Sequence, residues 1–195
     1  MKLILASQSP RRKELMGLFN RPFEIRVADI DETMDPCEDP RREVARVSRR
    51  KAEAVERAPG EVVIAADTIV VCDGIALGKP RSEEEAVQML CMLSGRSHEV
   101  MTGLTVLGDD FCKCGTEVTE VVFRELTPQE IYEYVQSGEP MDKASVPIWY
   151  DKAGGYGIQT AFGAMAVQCI HGDYYNVVGL PVSRLWQILK NEFGF

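Results

Sequence analysis

The chain has 195 residues, of which 45% are hydrophobic and 27% charged, and its net charge is −8. This size and composition predict a globular protein with one domain, or one large two-lobed domain, that spans residues 1–195. An acidic chain lacks the broad basic face of a nucleic-acid binder, and no apolar run approaches the length of a membrane span. The first residues, MKLILASQSPRR, are charged too soon for a signal peptide. We therefore expect a cytoplasmic protein that binds neither nucleic acid nor membrane.

The cysteines favour the same compartment. They are scattered without a C-x-x-C pair, and with two histidines in the chain a zinc cluster is not expected. Reduced thiols of a cytoplasmic protein are the simplest interpretation. Their even number leaves a secreted disulfide protein as the alternative. The six are Cys37, Cys72, Cys91, Cys112, Cys114 and Cys169.

The amino-terminal segment KLILASQSPRRKEL predicts a buried strand, a turn and a helix. Ser9 is suited to the N-cap and Pro10 to the first helical position. Arg11 and Arg12 then lie at the positive end of the helix, where each cation is disfavoured by roughly 0.3–1 kcal/mol. A bound anion would offset this, because backbone N–H groups at such a turn favour phosphate and guanidinium groups bind its oxygens in pairs. A solvated basic helix start is the alternative.

A strand and a helix follow this segment. FEIRVAD alternates as a half-buried strand does, and it ends in the acidic cluster ADIDE, with Asp29, Asp31 and Glu32. Such oxygen ligands suit Mg²⁺ or Mn²⁺, although a solvated loop would have the same composition. The charged segment from Asp39 to Arg57 predicts a helix with a narrow apolar stripe. The stripe comprises Val44, Val47, Ala52 and Val55.

The segment EVVIAADTIVVCDG predicts a strand, a functional interruption, a second strand and a tight turn. The carboxylate of Asp67 stands in the middle of this apolar run, and burying it is unfavourable unless it has a partner or binds a metal. Asp67 is therefore a candidate general base, and a bulge residue bonded to backbone is the alternative. Soon afterwards, LGKP places Lys79 in a turn, where it is either a phosphate ligand or an ordinary exposed lysine.

The carboxyl-terminal half alternates helices and strands. Capping boxes at Ser82 and Thr127 predict helices, and HEVMTGLTVLGD and TEVTEVVFREL predict paired antiparallel strands. Arg96, in LSGRSHEVMTG, is either a ligand or a charge that complements a helix end. The segment 138–159 predicts a long functional loop. AMAVQCIHGDYYNVVGLP predicts a strand and a turn, VSRLWQILKNEF a final helix, and the whole pattern an α/β fold with a mixed sheet.

These motifs, taken together and in order, resemble the Maf family. The resemblance spans nearly the whole chain, and it implies a two-lobed mixed sheet with flanking helices and a central cleft, like that of inosine triphosphate pyrophosphatases, usually in a homodimer. It also implies a hydrolase that splits the α-β phosphoanhydride of a nucleoside triphosphate, with Mg²⁺ or Mn²⁺, to give monophosphate and pyrophosphate. The motifs that carry it are LASQSPRRKEL, ADIDE, AADTIV, LGKP, LSGRSHEVMTG, GEPMDKA, DKAGGYGIQ and NVVGLP.

The resemblance also implies roles for individual residues. Asp67 matches the proton acceptor that activates water, and Glu32, with Asp67, matches the metal site. Arg11, Thr68 and Gln159 match the positions that are associated with the preference for the base. The sequences ADT and YGIQ resemble those of the dTTP/UTP type. A glutamine amide can both donate to and accept from a pyrimidine edge. The expected phosphate ligands are Ser9, Arg11, Arg12, Lys51, Lys79, Arg96 and Lys152.

The chain departs from the family pattern in one place. The segment ASVPIWYDK stands between Lys143 and Ala153, so that the sequence DKA occurs twice. Either Asp142-Lys143 or Asp151-Lys152 fits the family position, and we favour the second because it adjoins AGGYGIQ. The insertion is a candidate lid, dimer contact or partner surface, or a disturbance of the pocket. The alternative function is accordingly a non-catalytic nucleotide-binding regulator of cell division or septum formation. A third possible function is that of a phosphatase that removes the terminal phosphate.

Overall fold

The computed structural model describes residues 1–138 and 152–195 and, as two short strands, 141–142 and 149–150. Most of the inserted segment, and the choice between the two DKA sequences, lie outside the described residues. None of the described helices is both long enough and apolar enough to cross a membrane.

The chain forms nine strands and seven helices in the described residues. The amino-terminal elements are β1 (Lys2–Leu5), α1 (Pro10–Gly17), β2 (Phe23–Ile25), α2 (Pro40–Ala54), β3 (Glu61–Cys72), β4 (Ile75–Leu77), α3 (Glu83–Leu93) and β5 (Ser97–Leu107). They are followed by β6 (Cys112–Phe123), α4 (Pro128–Gln136), β7 (Met141–Asp142), β8 (Trp149–Tyr150), α5 (Ala161–Ala166), β9 (Val167–His171), α6 (Tyr174–Val178) and α7 (Val182–Phe193).

The main sheet is mixed. Its strand order is β2-β1-β3-β5-β6-β9, and β4 pairs with β3 in addition. β1 runs parallel to both β2 and β3, whereas β4 and β9 run antiparallel to their partners. The predicted α/β class with a mixed sheet is thus confirmed.

The chain divides into two compact units. Unit 1 comprises 1–68, 101–118 and 173–195, and unit 2 comprises 69–100 and 119–172. In unit 1 the strand residues alternate between two layers. Val62, Ile64 and Ala66 of β3 pack in the cluster that contains buried residues of α1 and α7. Val63 and Ala65 pack in the cluster that contains Ala52 of α2.

Helix α2 lies directly against strand β5 of unit 1. A Cβ atom on Gly103 would lie 2.2 Å from the carbonyl oxygen of Val44, so only glycine permits this approach. On the same face of β5, the hydroxyl of Thr105 contacts that of Ser48 at 2.8 Å. These two contacts fix the position of α2, and Lys51 follows Ser48 by one helical turn.

Unit 2 has a buried aromatic cluster around His98. The imidazole contacts the ring edges of Phe123 and Tyr156, at centroid distances of 4.9 and 5.5 Å. Its Nε2 atom lies 2.7 Å from the Tyr156 hydroxyl. Phe162 also packs on Phe123 and stacks on Tyr134.

Three predictions about local structure were wrong or incomplete. EVVIAADTIVVC is one unbroken strand, because its apolar residues fill both covered faces of the sheet and Asp67 has a cationic partner. FEIRVAD forms only three strand residues. The segment predicted as strand and turn after Ala161 contains the two short helices α5 and α6 as well as β9.

Other predictions were confirmed. The capping box at Thr127 is complete, with both reciprocal hydrogen bonds present. At Ser82 the hydroxyl caps the amide of Glu85, but the Glu85 carboxylate accepts from the Arg81 amide instead. The turn at Asp73-Gly74 joins β3 to β4 with φ of 51° and 77°, as a two-residue hairpin turn requires.

Candidate active site

The candidate site of unit 1 lies where strand β1 ends and strand β3 continues. β1 stops at Leu5, which pairs with Ile64, and β3 runs on to Cys72. The chain connects β1 to β2 through α1 and β2 to β3 through α2, and these helices cover opposite faces. In open sheets, ligands bind beyond the carboxyl ends of strands at such a point. Asp67 and Thr68 occupy this place on β3.

One ammonium group holds two carboxylates at the site. The Nζ atom of Lys51 lies 2.7 Å from Oδ1 of Asp67 and 2.9 Å from Oε2 of Glu32. The Lys51 and Asp67 side chains are only 12% and 14% exposed, whereas that of Glu32 is 54% exposed. Lys51 therefore provides the partner that the charge of Asp67 requires in a largely buried position.

This arrangement fits a divalent cation. Two carboxylates converge on one positive centre, and Mg²⁺ typically binds one or two protein carboxylates together with substrate phosphates. Within the described part of the chain, no group of three or more acidic, histidine or cysteine side chains is placed to hold a metal. A cation here would therefore depend on the substrate for further oxygen ligands. Of the acidic cluster in ADIDE, Glu32 contacts Lys51, and Asp31 accepts from the Thr33 amide.

The side chain of Arg12 is fixed on the other side of β3. Its Nε donates to the Gly179 carbonyl at 2.8 Å, and its terminal nitrogens donate to the hydroxyls of Ser7 at 3.3 Å and Thr68 at 3.0 Å. A guanidinium has five N–H donors, so these bonds leave one donor on each terminal nitrogen. Two such donors suit two oxygens of one phosphate.

The charges around Arg12 act in opposite directions. Burial lowers the pKa of the half-buried guanidinium, the carboxylates of Asp67 and Glu32 raise it, and the neighbouring Arg11 lowers it. An arginine keeps its charge through such changes. The site thus combines a confined positive charge with two carboxylates, and a polyanion with its counter-cation would complement both.

The start of helix α1 differs in detail from the prediction. Ser9 occupies the N-cap position and Pro10 follows it, but the Ser9 hydroxyl makes no capping hydrogen bond. The Ser9 amide instead donates to the Ser7 hydroxyl at 3.2 Å. Ser7 therefore links the turn to Arg12.

Four predicted site residues belong to unit 2. Lys79 is exposed, and the turn that carries it contacts the glycine segment through a bond from the Gly154 amide to the Gly78 carbonyl at 3.0 Å. Lys152 is 9% exposed and packs beside Gly157. Arg96 forms an ion pair with Asp73 and donates to the Met92 carbonyl of helix α3.

Gln159, the fourth, has an exposed side chain immediately before helix α5, which Thr160 caps. Within unit 2 the sequence LGKP and the sequence KAGGYGIQ are thus neighbours. Within unit 1 the fold brings together Glu32, Lys51, Asp67, Arg12 and Thr68.

The comparisons with known proteins agree with the order of motifs. The family model described as "Maf-like protein" matches residues 2–192. The chain belongs to the Maf family. A relative named dTTP/UTP pyrophosphatase from Thermococcus onnurineus is 45% identical over 98% of each chain. One of the same name from a Geobacillus species is 47% identical over 97% of each chain, and one from Bacillus cereus is 48% identical over 97% of this chain and 94% of its own.

A solved structure is similar over part of the chain. The Staphylococcus aureus Ham1 protein is 14% identical, covers 63% of this chain and 72% of its own, and has a TM-score of 0.42.

Proposed function

We propose that this protein hydrolyses dTTP and UTP to the nucleoside monophosphate and pyrophosphate. The observation that carries the proposal is similarity along the full chain to relatives named dTTP/UTP pyrophosphatase. The convergence of Asp67, Glu32, Lys51 and Arg12 in unit 1 supports it, because triphosphate hydrolysis requires positive charge for the phosphates and a carboxylate for water.

In the proposed reaction Asp67 accepts a proton from the water that attacks the α-phosphorus. Lys51 holds this carboxylate in place through the contact at 2.7 Å. Arg12 binds the phosphates with its two remaining donors, and Ser9 and Arg11 lie at the same turn. Lys79, Arg96 and Lys152 are proposed as further phosphate ligands. Arg11, Thr68 and Gln159 are proposed to govern the preference for the base.

Glu32 and Asp67 are the residues that would hold a divalent cation. When bound, Mg²⁺ or Mn²⁺ neutralises charge on the phosphates and on the departing pyrophosphate. A carboxylate has two oxygens, so the contact of Asp67 Oδ1 with Lys51 leaves the second oxygen for the water. The proposal further includes a homodimer in the cytoplasm and a single domain with two lobes around one cleft.

The test is a substrate panel with product analysis. Wild-type protein is incubated with dTTP, UTP, CTP, GTP and ATP in the presence of Mg²⁺ or Mn²⁺, and nucleotides and pyrophosphate are quantified. We expect monophosphate and pyrophosphate in equal amounts, with dTTP and UTP turned over fastest. Diphosphate and phosphate as products would instead identify a terminal phosphatase. Saturable binding without turnover would favour the non-catalytic regulator.

The variant Asp67→Asn tests the role of the carboxylate. Loss of a general base lowers turnover by about 10²–10⁴-fold. Asp110→Asn is a suitable control, because Asp110 is exposed in the β5–β6 connection. We expect the control to retain wild-type turnover and both variants to fold. Wild-type turnover in Asp67→Asn would contradict the proposed role.

A further inference from the structure

Three side chains of unit 1 form a hydrogen-bonded chain whose direction is fixed. The Thr102 hydroxyl donates to the carbonyl oxygen of Asn176 at 3.1 Å. A hydroxyl has one proton, so Thr102 must accept in its 3.0 Å contact with Thr68, and Thr68 must donate. Thr68 in turn accepts from Nη2 of Arg12 at 3.0 Å. The order from donor to acceptor is therefore Arg12, Thr68, Thr102 and the Asn176 carbonyl.

The segment after α6 closes this chain into a ring. The amide of Gly179 donates to the same Asn176 carbonyl at 3.0 Å, and the Gly179 carbonyl accepts from Nε of Arg12 at 2.8 Å. Gly179 has a φ of 125°, a conformation that strains other residues. A Cβ atom there would also lie 3.6 Å from the Thr68 hydroxyl. The guanidinium is thus held at Nε and at Nη2 by one closed ring of hydrogen bonds, which we call the circuit.

The burial of the circuit makes it rigid. The side chains of Thr102 and Asn176 are fully buried, and Thr68 is half-buried in the strand that also carries Asp67. A hydrogen-bonded network in a low-dielectric interior orients its members strongly when each partner is satisfied. Arg12 keeps one N–H donor on each terminal nitrogen for an external ligand.

We propose that Thr102 is a positioning residue for Arg12, and that the influence of Thr68 on the preference for the base is exerted through Arg12 rather than through a hydrogen bond donated to the base. The single Thr68 proton is committed to Thr102, so Thr68 has none for the nucleotide. Thr102 and the Asn176–Gly179 turn set the angle at which Arg12 meets a phosphate. The effect on catalysis rests on the proposed function, whereas the orientation of Arg12 does not.

The experiment compares Thr102→Val with a matched control on the same strand. Valine has nearly the shape of threonine but neither donates nor accepts a hydrogen bond. Thr105→Val makes the same change at another fully buried threonine of β5, which contacts Ser48 instead of Thr68. Thr102→Ser keeps the hydroxyl and tests rescue.

The first readout does not require activity. The Nε–H signal of Arg12 is assigned in the ¹⁵N NMR spectrum by its absence in Arg12→Lys, and its exchange with solvent is measured. In Thr102→Val we expect exchange to be faster by about tenfold, because the substitution removes the two hydrogen bonds by which Thr102 joins Thr68 to the Asn176 carbonyl. Thr105→Val and Thr102→Ser should match the wild type. An unchanged rate in Thr102→Val, or an equal increase in Thr105→Val, would overturn the proposal.

The second readout is kinetic. For dTTP we expect Thr102→Val to lower kcat/KM by about tenfold, mainly through KM, with Thr102→Ser within about twofold of wild type. A loss confined to kcat with an unchanged KM would contradict a role through phosphate binding. If wild-type protein turns over no triphosphate, the proposed function fails while the NMR result still decides the orientation of Arg12.

A comparison within the wild type covers the case in which Thr102→Val does not fold. Nε–H of Arg49 donates to Glu53 at the exposed surface, where both side chains are about half exposed. We expect the Arg12 Nε–H to exchange more slowly than that of Arg49, because its circuit is closed and half-buried. Equal exchange at the two arginines would refute the closed circuit.

Discussion

His98 should make the folded protein sensitive to mild acid. Its side chain is 3% exposed among aromatic rings, and this burial lowers its pKa from the ordinary 6.5 to about 4. Between pH 6.5 and pH 4, His98 is therefore protonated in the unfolded chain but neutral in the folded protein. The folded protein therefore has its full free energy of unfolding above pH 6.5, and part of it is lost as the pH falls toward 4.

The magnitude follows from the two pKa values. One pKa unit corresponds to about 1.4 kcal/mol, so the full difference is about 3 kcal/mol in the free energy of unfolding, of which about 2 kcal/mol is lost by pH 5.0. Carboxylates with lowered pKa values add a smaller loss, because near pH 5.0 the unfolded chain begins to take up protons on them. The pKa of Glu43, which accepts from Arg46 and the Asp35 amide, is about 2, so the folded protein keeps it ionised at pH 5.0.

Urea unfolding at pH 7.5 and pH 5.0 measures the effect. Between the two conditions wild-type protein should lose about 2 kcal/mol more than His98→Leu, which is less stable than wild type at pH 7.5 because Tyr156 loses its partner. His171, the other histidine, is exposed, so His171→Leu should behave as the wild type. The same loss in His98→Leu as in wild type would refute the assignment to His98.

Two further substitutions test the packing and the helix caps. Gly103→Ala should destabilise the protein by about 3 kcal/mol, because the new methyl group would meet the Val44 carbonyl oxygen at 2.2 Å, whereas Gly17→Ala, with no atom within 4 Å, should be neutral or slightly stabilising in thermal unfolding. Equal melting temperatures for the two would contradict the close approach of α2. Thr127→Ala should lower the free energy of unfolding by about 1 kcal/mol through loss of the cap on α4, measured against Ser183→Ala at an exposed helix position, and no difference between them would show that the cap contributes little.

Local signals in the sequence predicted much of the fold. The capping box at Thr127, the Ser82 cap of α3, the apolar stripe of α2 and the Asp73-Gly74 turn are set by neighbours within a few residues, and each was confirmed. The unbroken course of β3 could not be predicted, because it depends on a salt bridge between Asp67 and Lys51, sixteen positions apart. A polar residue within an apolar run indicates that a partner exists, but not where it lies.

The site was predicted less completely than the fold. Lys51 was identified only through the resemblance, since α2 also carries five arginines and nothing in the sequence distinguishes one cation from another. The close packing of α2 on Gly103 places Lys51, and not one of these arginines, beside Asp67. Thr102 lies in the motif LSGRSHEVMTG, and Asn176 and Gly179 lie in NVVGLP, but the sequence predicted no function for these three residues. A buried threonine between apolar strand residues was the available signal.

Strand β3 sends the side chains of Asp67 and Thr68, adjacent in sequence, into opposite layers of unit 1. The contact of Asp67 with Lys51 and the contact of Thr68 with Arg12 thereby rest on separate sets of supporting residues, joined by a single peptide unit. A substitution among the residues that support Arg12 can accordingly leave the contact between Asp67 and Lys51 intact.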